Sequence, residues 1–376
     1  MTLSIHQHWD PLKICAVGRS YPPEFYSFIK NTKARSVMER IAEETEEDYQ
    51  NLLKILHSFG VETVRPELKN DPEYYKMNGK YLPPPMVPRD HTAMIGDTFY
   101  MPSTVREDTW GDIKDPSWPQ DPKNATPEML QEVKNLHGID VILESDYTFY
   151  KPIEDLVKSR GNNIIYNQAI NTASVSRIGK DLYFGTETDD DRTALEIKEL
   201  KEKAQKLFPE YRHHILKTAG HADGIYCPVV PGLIVSLNDL KNYEQTFPGW
   251  EVVYLEHEGW DKVQPFLDLK EKNKGKYWVP GEENNDDFTN YVNEWLENWV
   301  GYCEETVFDV NMLVIDEKNV IVNNDNDRVF EAFERYGITP HVCNFRHRYF
   351  WDGGLHCITS DLHREGTQQD YFPNRS

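Results

Sequence analysis

Leu56-His57-Ser58-Phe59-Gly60-Val61-Glu62-Thr63-Val64 carries the end of one pattern and the start of another. Upstream, Tyr49, Leu52, Leu53, Leu56 and Phe59 fall at three- and four-residue spacing, the period of an amphipathic helix. Gly60 can adopt the left-handed backbone conformation that ends a helix, and the β-branched residues beyond it open a strand. The same succession returns as Asn135-Leu136-His137-Gly138-Ile139-Asp140-Val141-Ile142, as Phe247-Pro248-Gly249-Trp250-Glu251-Val252-Val253, and as Arg335-Tyr336-Gly337-Ile338-Thr339-Pro340-His341-Val342. Val329, Phe330, Phe333 and Tyr336 form the apolar face of the last helix, with Asp325 or Asp327 expected as its N-cap. A related helix over 191–207 runs into the strand-like His213-His214-Ile215-Leu216 without a glycine.

Hairpins precede these helices. The clearest is Val310-Asn311-Met312-Leu313-Val314-Ile315, the turn Asp316-Glu317-Lys318-Asn319, then Val320-Ile321-Val322. Others occupy 93–101, 175–184 and 225–237, the last turning at Pro231-Gly232. The unit is strand, strand, helix, strand, seen about five times, with insertions of unequal length near 101–135 and 256–302. Copies of such a unit cannot each bury a core alone, so they are expected to pack around a common axis as a single α/β domain over 1–376. The alternative is two ordinary α/β domains. The 256–302 insertion, Trp-rich at one end and acidic in the middle, reads as a helical excursion suited to a lid.

Nine Trp, 21 Tyr and 16 Phe among 376 residues exclude a disordered chain, because that much aromatic surface can offset the ordering entropy. Lys and Arg number 41 against 63 Asp and Glu, a net charge of −22 that repels phosphate. Nucleic acid and anionic lipid are therefore poor partners, and cationic small molecules good ones. The longest apolar runs, such as 310–315 broken only by Asn311, fall far short of the roughly 20 residues of a membrane span. Residues 1–10 have neither a basic start nor an apolar run, so no signal peptide is expected. Cys15, Cys227, Cys303, Cys343 and Cys357 are odd in number and form no CxxC pair, which points to a reduced, cytoplasmic protein without disulfides or structural zinc.

Three polar clusters fall at strand ends: Arg89-Asp90 before a hairpin, His221-Ala222-Asp223 before a β-run, and Gly353-Gly354-Leu355-His356-Cys357 closing the last unit. A cysteine with a separate histidine and carboxylate is a nucleophilic set, although by spacing alone such sets recur by chance. Each member also has a structural reading. Cys357 could be a small buried hydrophobe, His221 a hydrogen-bonded core histidine, Asp223 a turn cap, and Arg89-Asp90 a local ion pair. His213, His214, His341, His347, His356 and His363 lack the spacing of a metal site, so no metal is expected. Tyr349-Phe350-Trp351 could stack on a planar substrate or pack in the core.

The constellation resembles the amidinotransferase family typified by arginine:glycine amidinotransferase. The resemblance runs from Trp9-Asp10-Pro11-Leu12-Lys13 through Pro88-Arg89-Asp90, Arg177-Ile178-Gly179-Lys180-Asp181, His221-Ala222-Asp223, Pro231-Gly232-Leu233-Ile234-Val235-Ser236 and 311–318. It ends in the most specific string, Gly353-Gly354-Leu355-His356-Cys357-Ile358-Thr359-Ser360-Asp361-Leu362-His363-Arg364-Glu365-Gly366-Thr367. The resemblance implies a five-bladed ββαβ propeller, a pentein-like fold with a pseudo-fivefold repeat. It implies Cys357 as nucleophile, His221 as general acid/base, and Asp90 and Asp223 as carboxylates holding a guanidinium, with Arg89 and Gly354 beside them. Within the family the pattern is most similar in kind to cyanobacterial toxin-pathway members of the saxitoxin type, where an amine other than glycine receives the amidino group.

Three positions depart from the family. The Asp that orients the histidine falls on Asn171, whose amide can accept from an imidazole but cannot stabilise an imidazolium as a carboxylate does. The carboxylate-binding Arg falls on Leu240, with Lys241 adjacent, and a substrate-contacting Ser-Ser pair falls on Glu304-Glu305. An altered substrate is therefore expected. The resemblance implies transfer from a guanidine donor, arginine, to an amine acceptor, with no cofactor, in a cytoplasmic homodimer. A deiminase-type hydrolase and a non-catalytic guanidine-binding protein are the alternatives.

Overall fold

The computed structural model describes residues 2–69, 71–77, 80–101, 114–119, 124–137, 144–166, 172–186, 194–216, 218, 221–237, 243–255, 279, 281–282, 284–296 and 309–375. The longest helix, Thr32–Ser58, starts at Asn31, whose side-chain oxygen accepts from the Lys33 and Ala34 amides at 3.0 and 3.2 Å. Its buried stripe of Val37, Met38, Ile41, Thr45, Tyr49, Leu52 and Leu56 follows the sequence period. Gly60 closes it at φ 73°, with the Val61 amide bonded to the Leu56 carbonyl at 3.1 Å. A Cβ at Gly60 would meet nothing within 4 Å, so the backbone conformation, and not space, requires the glycine.

Beyond that glycine, strand β2 (Glu62–Val64) lies parallel to β1 (Leu12–Val17), and β1 pairs antiparallel with the C-terminal strand Thr359–Arg364. Four further three-stranded sheets have the same form, an antiparallel hairpin and then a parallel strand reached through helix. They are Ala93–Ile95, Thr98–Met101 and Asn163–Tyr166; Val175–Ile178, Asp181–Gly185 and Arg212–Leu216; Tyr226–Val230, Leu233–Ser236 and Glu251–Tyr254; and Leu313–Asp316, Asn319–Val322 and Thr339–Val342. A short hairpin, Lys76–Met77 with Lys80–Tyr81, stands apart from them.

Two expectations are corrected. The glycine that precedes the third strand of the 93–101 sheet is Gly161, at φ 79°, following the helix Glu144–Ser159. Gly138 and 139–142 lie outside the described residues, and the parallel place they were expected to fill belongs to Asn163–Tyr166. The helix Asp327–Tyr336 is capped by Asn326, whose side-chain oxygen accepts from the Val329 amide at 3.2 Å, and not by either flanking aspartate. Asn326 has the extended backbone of a cap while Asp327 is already helical, where its charge favours the helix N-terminus.

The N-terminal residues stitch the sheets together. Ile5 bridges Gly96, Gln7 bridges Ile178, and the Ser4 carbonyl accepts from the Arg364 amide at 2.9 Å. The segment leading to the Gly353-Gly354 turn is anchored on the long helix. Arg346 donates to buried Asp48 from its backbone amide at 2.7 Å and from Nε at 2.9 Å, His347 Nε2 pairs with Glu44 at 2.6 Å, and Trp351 Nε1 donates to Thr45 at 3.0 Å. Phe350 and Trp351 are buried in the core. Of the 256–302 insertion, the helix Asp286–Trp295 is described, with Phe288, Val292 and Leu296 buried in the same core. Much of the rest of that insertion, and most of 101–124, lies outside the described residues. No helix among the described residues is long and apolar enough to cross a membrane.

Candidate active site

The turn Asp352-Gly353-Gly354-Leu355-His356-Cys357 leads into the final strand. Its first residue is the one non-glycine among the described residues with positive φ, 51°. A Cβ at Gly353 would stand 3.5 Å from both Cys357 Cβ and Val87 Cγ1, an ordinary van der Waals contact. Gly354, buried, accepts the Ile358 amide at 3.0 Å and shapes the turn through its backbone.

Cys357 is 4% exposed, and among the described residues its sulfur meets the side chains of Asn311 and Asp223. Asn311 Nδ2 lies 2.9 Å from Sγ, and Asp223 Oδ2 lies 3.3 Å from it. The same Asp223 oxygen takes His356 Nδ1 at 2.8 Å. Burial raises the Asp223 pKa, but the hydrogen bond from His356 and the surrounding groups, the Arg89 guanidinium among them, outweigh it, bringing it down to about 2. The carboxylate is therefore anionic at neutral pH, and His356 carries its proton on Nδ1. Burial and Arg89 lower the His356 pKa against the pull of Asp223, so the ring is neutral at pH 7. Asp223 Oδ1, in a residue 6% exposed, has no hydrogen-bond partner among the described residues.

His221 precedes the short turn Ala222–Gly224 that carries Asp223, and its Nδ1 stands 4.0 Å from Asp90 Oδ1. The structure thus groups Cys357, Asp223 and His356, and pairs His221 with Asp90. A cavity of about 280 Å³ opens at Asp90, walled by His91, Phe149, Tyr150, Trp351 and Asp352.

Arg89 does not form the expected local pair with Asp90. It is 4% exposed, and its guanidinium donates to the His356 carbonyl at 2.9 Å and to Asp361 at 2.8 Å. Asp361 also takes Arg177 through two bonds at 2.9 and 3.0 Å and Arg364 at 2.9 Å. Burial alone would raise the Asp361 pKa, and the three guanidiniums instead hold it well below the usual carboxylate range. This buried knot ties the last strand, Thr359–Arg364, to the strand Val175–Ile178 and to the helical turn Pro88–His91, and through Arg89 to the turn that presents Cys357.

No family model matches the chain. Mitochondrial glycine amidinotransferase of Xenopus tropicalis is 23% identical over 407 residues, covering 98% of this chain and 84% of that protein. Among solved structures, the inosamine-phosphate amidinotransferase StrB1 from Streptomyces griseus matches with a TM-score of 0.62 at 17% identity, covering 98% of this chain and 99% of that one. SxtG, an amidinotransferase of the saxitoxin biosynthetic pathway from Microseira wollei, matches with a TM-score of 0.59 at 16% identity over the same shares. The chain is similar to amidinotransferases along nearly its whole length. Its α/β fold follows those of StrB1 and SxtG over nearly its whole length.

Asn171, Leu240, Lys241, Glu304 and Glu305 lie outside the described residues. Asn311 is the residue of the site that sequence reading missed. It is fully buried, and its carboxamide touches Cys357, His356 and Asp223 together. The signal was present in the run 310–315, where one amide interrupts apolar residues. A buried polar side chain in such a run requires partners, and here they are the site itself.

Proposed function

We propose that this enzyme moves an amidino group from L-arginine to a primary amine other than glycine, by a double displacement through Cys357. The observation that carries the reading is Asp223. A buried carboxylate that faces a cysteine sulfur and keeps one oxygen without a donor suits the N–H groups of a planar guanidinium. Asp90, at the adjoining cavity, supplies a second carboxylate, so the guanidinium carbon sits above Sγ with its charge balanced.

Chemistry then follows from the groups present. The Cys357 thiol gives its proton to His221, and the thiolate forms the C–S bond. The C–N bond to the departing amine breaks as His221 returns the proton to that nitrogen, releasing ornithine. An S-amidino cation remains on Cys357. The acceptor nitrogen attacks the same carbon, the C–S bond breaks, and His221 accepts the proton and passes it to sulfur. Asp90 beside His221 favours the imidazolium that forms in both halves.

The proposal includes one domain over 1–376, with the five sheets arranged as blades of a pentein-like propeller and insertions near 101–135 and 256–302. Like connectivity in all five sheets and the Ile5–Gly96 and Gln7–Ile178 bridges support it. It includes a cytoplasmic homodimer acting on small molecules without a cofactor. The replacements at Asn171, Leu240 and Glu304-Glu305 support an altered acceptor. Incubation with arginine and a panel of primary amines tests the reading: ornithine and amidinated amine should appear in equal amounts. Ammonia and citrulline without an amine would replace transferase by hydrolase.

A further inference from the structure

Asn311 stands just before the hairpin strand Leu313–Asp316, and Asn323 stands just after its partner Asn319–Val322. Asn323 Nδ2 donates to the Asn311 carbonyl at 2.6 Å, and its Oδ1 accepts the Leu355 amide at 3.3 Å. The hairpin base is thereby locked to the turn before Cys357. Asn311 Oδ1 accepts the backbone amides of His356 at 2.8 Å and Cys357 at 3.2 Å. Two N–H groups against that atom fix which end of the carboxamide is oxygen, because the reverse orientation would set NH₂ against two donors. The NH₂ must then face Sγ at 2.9 Å and the Asp223 carbonyl at 3.2 Å.

We propose that Asn311 orients Cys357 and stabilises its thiolate by donating a hydrogen bond to Sγ, which makes it a further residue of the catalytic apparatus. Asp223 Oδ2, on the other side of the sulfur, accepts from a thiol and repels a thiolate. The carboxamide is the described side chain that donates to Sγ, and a donor to the charged form favours that form. The backbone bonds add rigidity, since the amide that holds the sulfur also holds the residue's own N–H. The effect on turnover rests on the amidino-transfer reading, whereas the effect on the thiol does not.

The test reads the thiol directly. Cys357 is alkylated with iodoacetamide across pH 5–10, and its carbamidomethyl peptide is quantified by mass spectrometry. Cys15, Cys227 and Cys343 stay silent in this range, because burial pushes each of their thiols up to about 12. Asn311→Ala should move the midpoint of the Cys357 profile up by about 1–2 pH units, the value of one hydrogen bond to a charged group. Asn311→Asp, which keeps the oxygen on the two amides and replaces the donor by a charge, should move it further. Asn323→Ala, which touches the same turn but not sulfur, should leave it in place. Asn311→Ser, whose hydroxyl is too short to reach Sγ, carries the same expectation as alanine if the alanine variant does not fold. A midpoint unchanged in Asn311→Ala, or moved as far in Asn323→Ala, overturns the assignment while leaving the transfer reading intact. A Cys357 that takes no label at any pH removes both.

Discussion

His356 Nδ1 donates to Asp223 Oδ2 at 2.8 Å, and that same oxygen faces Cys357 Sγ at 3.3 Å. The adjacent residues His356 and Cys357 therefore share one carboxylate oxygen, and the other oxygen of Asp223 is left for a ligand. Arg89 sets this arrangement from below. It fastens the His356 carbonyl and is itself fastened by Asp361 on the strand that follows. Sheet packing, through a buried charge knot, is thus what determines the position of the sulfur.

Asp223→Asn should lower kcat/KM for the donor more than tenfold, and Asp90→Asn should act in the same direction. Each replaces a charge-assisted bond to a guanidinium, on the order of 1.5–3 kcal/mol, by a neutral one. With the Asp223 pKa depressed to about 2, the carboxylate remains charged as pH falls to 5, so its share of donor binding should persist there. It is lost only as pH falls toward about 2. Steady-state kinetics with arginine check this, and unchanged donor kinetics in both variants would remove the assignment.

Cys357→Ala should abolish turnover, and initial rates of the wild-type enzyme should give parallel double-reciprocal lines as both substrates vary. One histidine serving as acid and then base requires that the leaving and entering amines occupy nearly the same place. His221→Asn should slow ornithine release and acceptor amidination alike, by about 10²–10⁴-fold. Intersecting lines, or activity in Cys357→Ala, would sink the double displacement.

The sequence made the repeating unit legible because helix period, terminal glycine and β-branched run are all local signals. Gly60, Gly249 and Gly337 take φ of 73°, 79° and 70° where the pattern places helix ends. In the second unit the helix Pro127–His137 stops just before Gly138, and 138–142 lie outside the described residues. The parallel partner of Thr98–Met101 is 163–166, a pairing between distant segments that the local pattern does not announce. Cys357, His221, Asp90 and Asp223 stood out by residue type and resemblance. The partnership of Arg89 did not, because adjacency suggests Asp90 while the side chain reaches Asp361, 272 positions along the chain. Asn311 gave a sign, as an amide inside an apolar run, but its partners lie on other sheets and only packing reveals them.

Asp361→Asn should destabilise the fold by about 3–5 kcal/mol, because it leaves the Arg89, Arg177 and Arg364 guanidiniums buried without their counter-ion. Urea unfolding should show a lower midpoint at an unchanged m-value. Activity should fall with it, since Arg89 would lose its hold while still bonded to the His356 carbonyl. A midpoint equal to that of the wild type would mean that the knot contributes no net stability.

Acid should weaken the fold well above the range in which carboxylates titrate. Burial, the leading cause, and the nearby Arg177 push the His8 pKa well below 6.5, and burial brings His91 down to about 4. His8 Nε2 accepts the Arg177 amide at 3.2 Å, so the folded protein uses the neutral ring. Once unfolded, these histidines bind protons below about pH 6.5 while the folded chain does not, so stability falls as pH decreases through that value. Each contributes a loss of about 1.4 kcal/mol per pH unit until its own folded pKa is reached. His8→Gln offers an amide oxygen to the Arg177 N–H and does not titrate, so its urea midpoint should shift less than the wild type's between pH 7 and pH 5. Equal acid shifts in the two proteins would show that His8 is protonated in the folded state, and that Asp361, next to its Arg177 partner, stabilises an imidazolium there.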